Sequence, residues 1–123
     1  MNKRNYDLEE RLLNFAADII RLVESLPRTK AATHLGGQLL RSGTSPLLNH
    51  AEVQAAESGA DFVHKLRICL KELRESNRTL KLIGHVPLVD ESANLGPLLG
   101  ESEELIRIFV SSVRTAKRGS EER

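Results

Sequence analysis

The amino-acid sequence predicts an all-α protein in which four amphipathic helices pack as an antiparallel up-down bundle. Apolar residues recur at alternating steps of three and four through most of the chain, which is the spacing of one face of an α-helix. Aromatic residues make up only 3% of the chain, so the predicted core consists mainly of aliphatic side chains. No stretch alternates polar and apolar residues as a half-buried strand does. Residues 1–123 are expected to form a single domain.

The first helix is predicted over residues 7–26, with Asp7 as its N-cap and Pro27 ending it. Its seam repeats at steps of four and three, as in a coiled coil, and consists of Leu8, Leu12, Phe15, Ile19, Leu22 and Leu26. A second apolar patch on the same helix consists of Leu13, Ala16, Ala17 and Ile20. A helix that is apolar on two sides contacts two sets of neighbours, so the second patch faces either a wider core or another subunit.

The second helix is predicted over residues 28–57, beginning at Thr29 or the residue before it. Its seam mixes small and polar residues with apolar ones and consists of Ala32, Leu35, Leu39, Ser42, Pro46, Asn49 and Val53. Because Pro46 lacks the backbone N–H that an α-helix uses, the helix is expected to bend or divide near Gly43. Ser45 would then be the N-cap of a second helical segment that begins at Pro46.

The third helix is predicted over residues 58–83 and the fourth over residues 94–118, with a loop between them. The candidate caps are Ser58 or Asp61 for the third helix and Ser92 or Asn94 for the fourth. The apolar stripe of the third helix consists of Phe62, Leu66, Cys69, Leu73 and Leu80. Pro97 fits only in the first turn of the fourth helix.

Beside this stripe, the third helix carries a row of five basic residues. These residues, called the cation row, are Arg67, Lys71, Arg74, Arg78 and Lys81. The row extends along about 21 Å of helix, so it is a candidate surface for binding several phosphates of a nucleic acid. The alternative is that acidic residues neutralise the row. Candidates are Glu10, Asp18 and Glu24 of the first helix, in the same or another subunit, and Glu75, which is spaced to pair with Lys71.

Four residues are candidate members of a structural polar network that fixes the oligomeric state: Arg41, Asn49, Glu52 and Lys71. Asn49 lies on the predicted seam of the second helix, where a polar side chain costs stability unless it is hydrogen-bonded. The best-established use of such a residue is to fix register and oligomeric state. Glu52 is expected to complete the buried network with a cation, either Arg41 or Lys71.

The sequence offers no recognisable catalytic, cofactor or metal site. It contains no phosphate-binding loop, dinucleotide fingerprint or Cys-x-x-Cys motif. Glu57, Asp61 and His64 share a helix face, but this spacing is more typical of a solvated face than of a metal site. Cys69 is the only cysteine, so no disulfide forms within the chain, which is compatible with the cytoplasm. No apolar run approaches the length needed to span a membrane. We therefore predict a cytoplasmic, non-enzymatic protein without cofactor or metal.

A string of motifs that begins at Arg41 resembles a known family. It consists of Arg-Ser-Gly-Thr-Ser (41–45), Asn-x-Ala-Glu (49–52), Ala-Glu-Ser (56–58), Asp-Phe-x-His-Lys-Leu (61–66) and Cys-Leu-Lys-Glu (69–72). On these motifs the sequence resembles the four-helix-bundle proteins known as 23S rRNA intervening-sequence proteins.

The resemblance implies a bacterial cytosolic protein, a left-handed four-helix bundle and assembly into a homopentameric ring. It also implies similarity in fold to the accessory variability proteins of diversity-generating retroelements, which are basic pentamers that hold nucleic acid and a reverse transcriptase. No catalytic activity is attached to the family. Two hypotheses follow: a self-assembling nucleic-acid-binding or nucleoprotein accessory factor, or a protein-interaction scaffold that does not bind nucleic acid. The expected partners are other copies of the chain, RNA or DNA, and a protein such as a reverse transcriptase.

Overall fold

The computed structural model describes the backbone of residues 3–90, 93 and 95–121, and the side chains of residues 7–90, 93 and 95–119. The chain forms four helices: α1 (Lys3–Glu24), α2 (Lys30–Gln54), α3 (Gly59–His85) and α4 (Leu95–Glu121). These ranges contain no strand, which confirms the predicted all-α class. None of the described helices contains an 18-residue stretch apolar enough to be a membrane-spanning segment.

Helices α2 and α3 have N-cap residues at predicted positions, Thr29 and Ser58. Thr29 Oγ1 accepts a hydrogen bond of 3.2 Å from the Ala32 N–H. Ser58 Oγ accepts one of 3.1 Å from the Asp61 N–H. Each cap satisfies one of the backbone donors that the first turn of a helix leaves without an intrahelical partner.

The predicted start of α1 was wrong, because the helix begins at Lys3 and Asp7 therefore lies inside it rather than at its cap. The candidate caps of α4, Ser92 and Asn94, lie outside the described residues. Pro97 is the third residue of α4, within the first turn, where its missing N–H removes no intrahelical hydrogen bond.

Helix α2 continues through Pro46, so of the two predicted effects, a bend or a division, the division does not occur. Ser45 is not a cap; its Oγ instead accepts a hydrogen bond of 2.8 Å from Asn49 Nδ2, one turn later. Pro46 is buried between the neighbouring helices. Most helical stability in proteins comes from such packing, which here outweighs one missing backbone hydrogen bond.

The core is formed by aliphatic side chains from all four helices together with two phenylalanines. Its buried members are Leu12, Phe15, Ile19 and Leu22 of α1, Leu39 and Val53 of α2, Leu66, Cys69, Leu70, Leu73, Leu80 and Ile83 of α3, and Leu98, Leu105 and Phe109 of α4. The predicted α1 seam is confirmed, since its four central members are buried and its end members, Leu8 and Leu26, are half-buried.

The helices contact one another in a closed order. Each packs against the next in the chain and α1 also contacts α4, whereas the described parts of α1 and α3, and of α2 and α4, have no Cα atoms within 8 Å of each other. Gly36 of α2 lies against Val23 of α1 and against Leu26, just after α1, and Gly43 lies against Ile19 of α1. Residue numbers in α1 therefore fall as those in α2 rise.

The buried face of α2 differs from the predicted seam. Gly36, Gly43 and His50 are buried, whereas Leu35 and Asn49 are only half-buried. Glycine adds nothing to a hydrophobic pattern, so the pattern does not reveal the side on which α1 packs. The structure therefore places His50, rather than Asn49, in the core.

Candidate nucleic-acid interface on the third helix

The cation row lies on the surface of the bundle along α3. All five side chains are exposed, and none of them forms an ion pair with any other residue that the structure describes. The row borders the side of α3 that packs on α4. Asn77, which donates a hydrogen bond of 2.8 Å to Ser102 of α4, lies three residues after Arg74 and four before Lys81.

The acidic residues in the middle of α3 are held on its opposite side by Arg41 of α2. Arg41 Nη1 donates to Glu72 Oε2 at 3.0 Å, and Arg41 Nη2 donates to Glu75 Oε1. The predicted pairing of Lys71 with Glu75 is therefore wrong, because Glu75 is directed towards α2 and away from the cation row. These two carboxylates do not neutralise the row.

In the described ranges no acidic residue of α1 forms an ion pair with the cation row, and no Cα atoms of α1 and α3 lie within 8 Å of each other. Asp18 instead pairs with Arg21, three residues later in the same helix, at 2.9 Å. Glu10 and Glu24 are exposed and have no ion pair in the part of the chain that the structure describes. Any counter-charge from these residues has to come from another copy.

The predicted polar network around Glu52 does not form within a single chain. Glu52 is exposed and makes no ion pair in the described ranges. It lies about 16 Å along the axis of α2 from Arg41, and Lys71 lies on the outer surface of α3, so neither cation reaches it. Asn49 is half-buried and its amide hydrogen-bonds to Ser45.

The buried polar contacts lie between small side chains instead. Ser76 Oγ of α3 donates to Ser42 Oγ of α2 at 3.0 Å, and Asn77 Nδ2 donates to Ser102 Oγ of α4 at 2.8 Å. Because both sides of α3 carry such contacts, they position this helix, and with it the cation row, relative to α2 and α4. Only Ser42 lies on a predicted seam. The sequence signal for the others is a polar residue at helical spacing within an apolar stripe, since Ser76 and Asn77 lie between Leu73 and Leu80, and Ser102 lies between Leu98 and Leu105.

His50 is a buried titratable residue that hydrophobic periodicity does not identify. Its ring lies edge-to-face with Phe109 of α4, with 6.5 Å between the ring centroids. Among the described residues, its Nδ1 atom has no hydrogen-bond partner. Burial lowers the pKa of His50, and the negative charge of Glu9 opposes that shift. The residue is therefore neutral at pH 7, and it is not part of the exposed basic surface.

Among the residues considered for a metal site, Asp61 is already engaged by neighbouring groups. Asp61 pairs with Lys65 at 3.0 Å and accepts a hydrogen bond of 3.2 Å from the Glu57 N–H. The bond from Lys65, followed by that from the backbone, lowers the pKa of Asp61. In the described ranges, no group of three or more His, Cys, Asp and Glu side chains is arranged to hold a metal ion.

Comparison with known proteins agrees with this architecture. The family described as 23S rRNA-intervening sequence protein matches residues 4–111, which include α1, α2, α3 and most of α4. The chain is also similar to the crystal structure of a protein of unknown function from the S23 ribosomal protein family of Bacteroides thetaiotaomicron. The two are 29% identical with a TM-score of 0.80, and the similarity covers 89% of this chain and 97% of that one. No match to a curated protein was found.

Proposed function

The chain belongs to the 23S rRNA-intervening sequence protein family, and we propose that it binds nucleic acid through the cation row. In this proposal the protein is a non-enzymatic four-helix bundle that assembles with other copies of itself. We further propose that the bundle is antiparallel, up-down and left-handed, and that its copies form a pentameric ring. The antiparallel order is supported by contacts in which residue numbers rise in one helix as they fall in the next, such as Gly36 with Val23 and Gly43 with Ile19.

The observation that carries the nucleic-acid proposal is that the cation row has no ion-pair partner among the residues that the structure describes. Arg41 engages Glu72 and Glu75, and Lys65 engages Asp61, so these acids of α3 are already paired. Five exposed cations along about 21 Å match the repeated negative charge of a phosphate backbone. The row therefore supports electrostatic binding that does not depend on base sequence.

The three phenylalanines support contact with the nucleic-acid backbone rather than with the bases. Phe15 and Phe109 are buried in the core, and Phe62 is half-buried. Recognition of single-stranded bases usually relies on exposed aromatic side chains. Assembly into a ring would bring several cation rows together and strengthen a weak individual contact through multivalency.

The test is binding of labelled RNA and DNA, single-stranded and duplex, measured by fluorescence anisotropy over a range of salt concentrations. We expect affinity to fall steeply with salt, and the double substitution Arg67→Glu with Arg74→Glu to reduce both the affinity and the salt slope. The matched control is Arg28→Glu with Lys30→Glu, which reverses the same number of exposed charges at the start of α2. Absence of binding at low salt, or equal losses in the two variants, would contradict the proposal.

The second candidate is a scaffold that binds another protein, such as a reverse transcriptase, and no nucleic acid. It is favoured by large exposed apolar side chains, since Leu48 is 68% exposed and Leu13 is 55% exposed. This function predicts no salt-sensitive binding of RNA or DNA, so the anisotropy experiment distinguishes the two.

A further inference from the structure

The outward side of α1 combines exposed apolar side chains with unpaired acids. Leu13 is 55% exposed and Ile20 is 43% exposed, and because they are seven residues apart they lie on one side of the helix. Glu9, Glu10 and Glu24 flank them, are exposed and form no ion pair in the described part of the chain. These five residues are called the acidic face.

The outward side of α3 has the same construction with the opposite charge. Ile68 is 37% exposed and Leu82 is 48% exposed, and their spacing of fourteen residues puts them on one side of the helix. Lys71 lies three residues after Ile68 and Arg78 lies four before Leu82, so both cations border these apolar side chains. These four residues are called the basic face. Glu75 lies midway between Ile68 and Leu82 on the same side of the helix, and Arg41 of α2 balances its charge.

Neither face suits a second copy of itself. If two acidic faces packed antiparallel about a two-fold axis with Leu13 opposite Ile20, then Glu9 would lie opposite Glu24. If two basic faces packed with Ile68 opposite Leu82, then Lys71 would lie close to Arg78 of the other copy. Like charges brought together in this way act against both pairings.

We infer that the acidic face on α1 of one copy docks on the basic face on α3 of a second copy. The apolar side chains supply the buried area, and the opposite charges select the partner face and its orientation. Because the two faces differ, the contact is heterologous, and its repetition produces a closed ring or an open filament. The inference rests on the proposed self-assembly and identifies the surfaces that produce it.

In this arrangement two residues of the cation row lie in the contact between copies, and the other three are left to bind phosphates. Lys71 and Arg78 adjoin the apolar side chains and face the second copy. Arg67, Arg74 and Lys81 lie nearer α4 and remain available for phosphates. The division gives a matched pair of variants on one helix, with the same charge change at neighbouring positions.

The test is the solution mass of each variant, measured by light scattering coupled to size exclusion, with helical content and melting temperature checked by circular dichroism. We expect Lys71→Glu with Arg78→Glu to weaken assembly at least tenfold and shift the mass towards a single chain. We expect Arg67→Glu with Arg74→Glu to keep the mass of the unmodified protein. Equal masses for these two variants would overturn the inference.

A second test of the inference reverses the charges of one face at a time and then mixes the two variants. The variant Glu10→Lys with Glu24→Lys has two basic faces, and Lys71→Glu with Arg78→Glu has two acidic ones. We expect each variant to fail to assemble alone and an equimolar mixture to co-assemble above the mass of one chain. No co-assembly from two folded, dissociated variants would overturn the inference. If the unmodified protein has the mass of one chain, the proposed self-assembly fails as well; if it assembles while the mixture does not, only this choice of faces fails.

Discussion

Gly43 of α2 lies against Ile19 of α1 so closely that a Cβ atom built on the glycine would be 2.8 Å from both γ carbons of the isoleucine. Ile19 is fully buried, and its γ carbons are attached directly to its Cβ, so the side chain has little room to move away. The lack of a side chain at position 43 therefore allows α1 and α2 to approach each other.

Replacing Gly43 by alanine is expected to destabilise the protein. Overpacking of a dense core costs about 1–3 kcal/mol, which exceeds the gain of about 1 kcal/mol in helix propensity. The control is Gly37→Ala, because position 37 is exposed and a Cβ there meets no atom within 4 Å. That variant should gain up to about 1 kcal/mol. Urea unfolding followed by circular dichroism measures both, and equal stability of the two variants would contradict the close packing of α1 on α2.

A charged fork joins α1 to α4, and its geometry requires arginine. Arg11 donates from Nε and Nη2 to Glu101 at 3.0 and 2.6 Å, and from Nη2 to Glu104 at 2.8 Å. The hydrogen bond with Glu101, and after it the one with Glu104, raises the pKa of Arg11, while burial opposes the shift.

We expect Arg11→Lys to lower the free energy of unfolding by about 0.5–1 kcal/mol, because an ammonium group cannot make the two parallel hydrogen bonds and the site is partly exposed. The control is Arg21→Lys. The side chain of Arg21 is 75% exposed and its single pair with Asp18 should be worth less. Urea midpoints that shift equally in the two variants would argue against a special role for the fork.

His50 should make the stability of the protein depend on pH. Burial holds its pKa in the folded state below the ordinary value of 6.5, so below about pH 6.5 the unfolded chain binds a proton that the folded chain does not. Stability is therefore expected to fall as the pH drops from 6.5, by up to about 1.4 kcal/mol per pH unit from this residue. The measurement is the difference in unfolding free energy between pH 7.5 and pH 5.

His50→Leu should reduce this difference, whereas His64→Gln, at an exposed position, should leave it unchanged. Titration of the acidic residues contributes to all three proteins alike, so only the difference between variants is informative. The same pH dependence in His50→Leu as in the unmodified protein would show that His50 does not carry it.

The thiol of Cys69 should be unreactive until the protein unfolds. The residue is fully buried, its Sγ lies 3.9 Å from the carbonyl oxygen of Pro46, and burial raises its pKa to about 11. Little thiolate is then present at pH 8, and we expect native Cys69 to react with a disulfide reagent at least roughly tenfold more slowly than an exposed thiol.

The exposed reference for this measurement is provided by Ser111→Cys on α4. That variant should show one fast and one slow thiol in the native state and two fast thiols in denaturant. Two fast thiols in the native state would be inconsistent with a closed core around Cys69.

The amphipathic helices can be predicted from the sequence where large apolar residues mark the buried face. On α1 every seam position from Leu12 to Leu22 is buried as predicted. On α2 the predicted seam differs from the buried face. Gly36 and Gly43 lie on the packed side because they have no side chain, and a hydrophobic pattern does not detect glycine. Continuity through Pro46 also depends on tertiary packing and is not visible in local propensity.

The exposure of the cation row could be predicted from its spacing, but the partners of the neighbouring acids could not. The sequence offers Arg41 or Lys71 as the cation that joins Glu52 in a buried network, whereas Arg41 pairs with Glu72 and Glu75, more than thirty positions away in the chain. A single sequence contains no information on such long-range pairs. The proposed function rests on the finding that no described residue pairs with the cation row, and this finding required the three-dimensional structure.

Assembly of several copies through their helix faces is tested most directly by the solution mass of the unmodified chain, measured by light scattering at micromolar concentration. We expect a mass several times the 13.7 kDa of one chain, and five times that value for a pentameric ring. A mass of 13.7 kDa throughout that concentration range would contradict assembly, and with it the docking of α1 on α3.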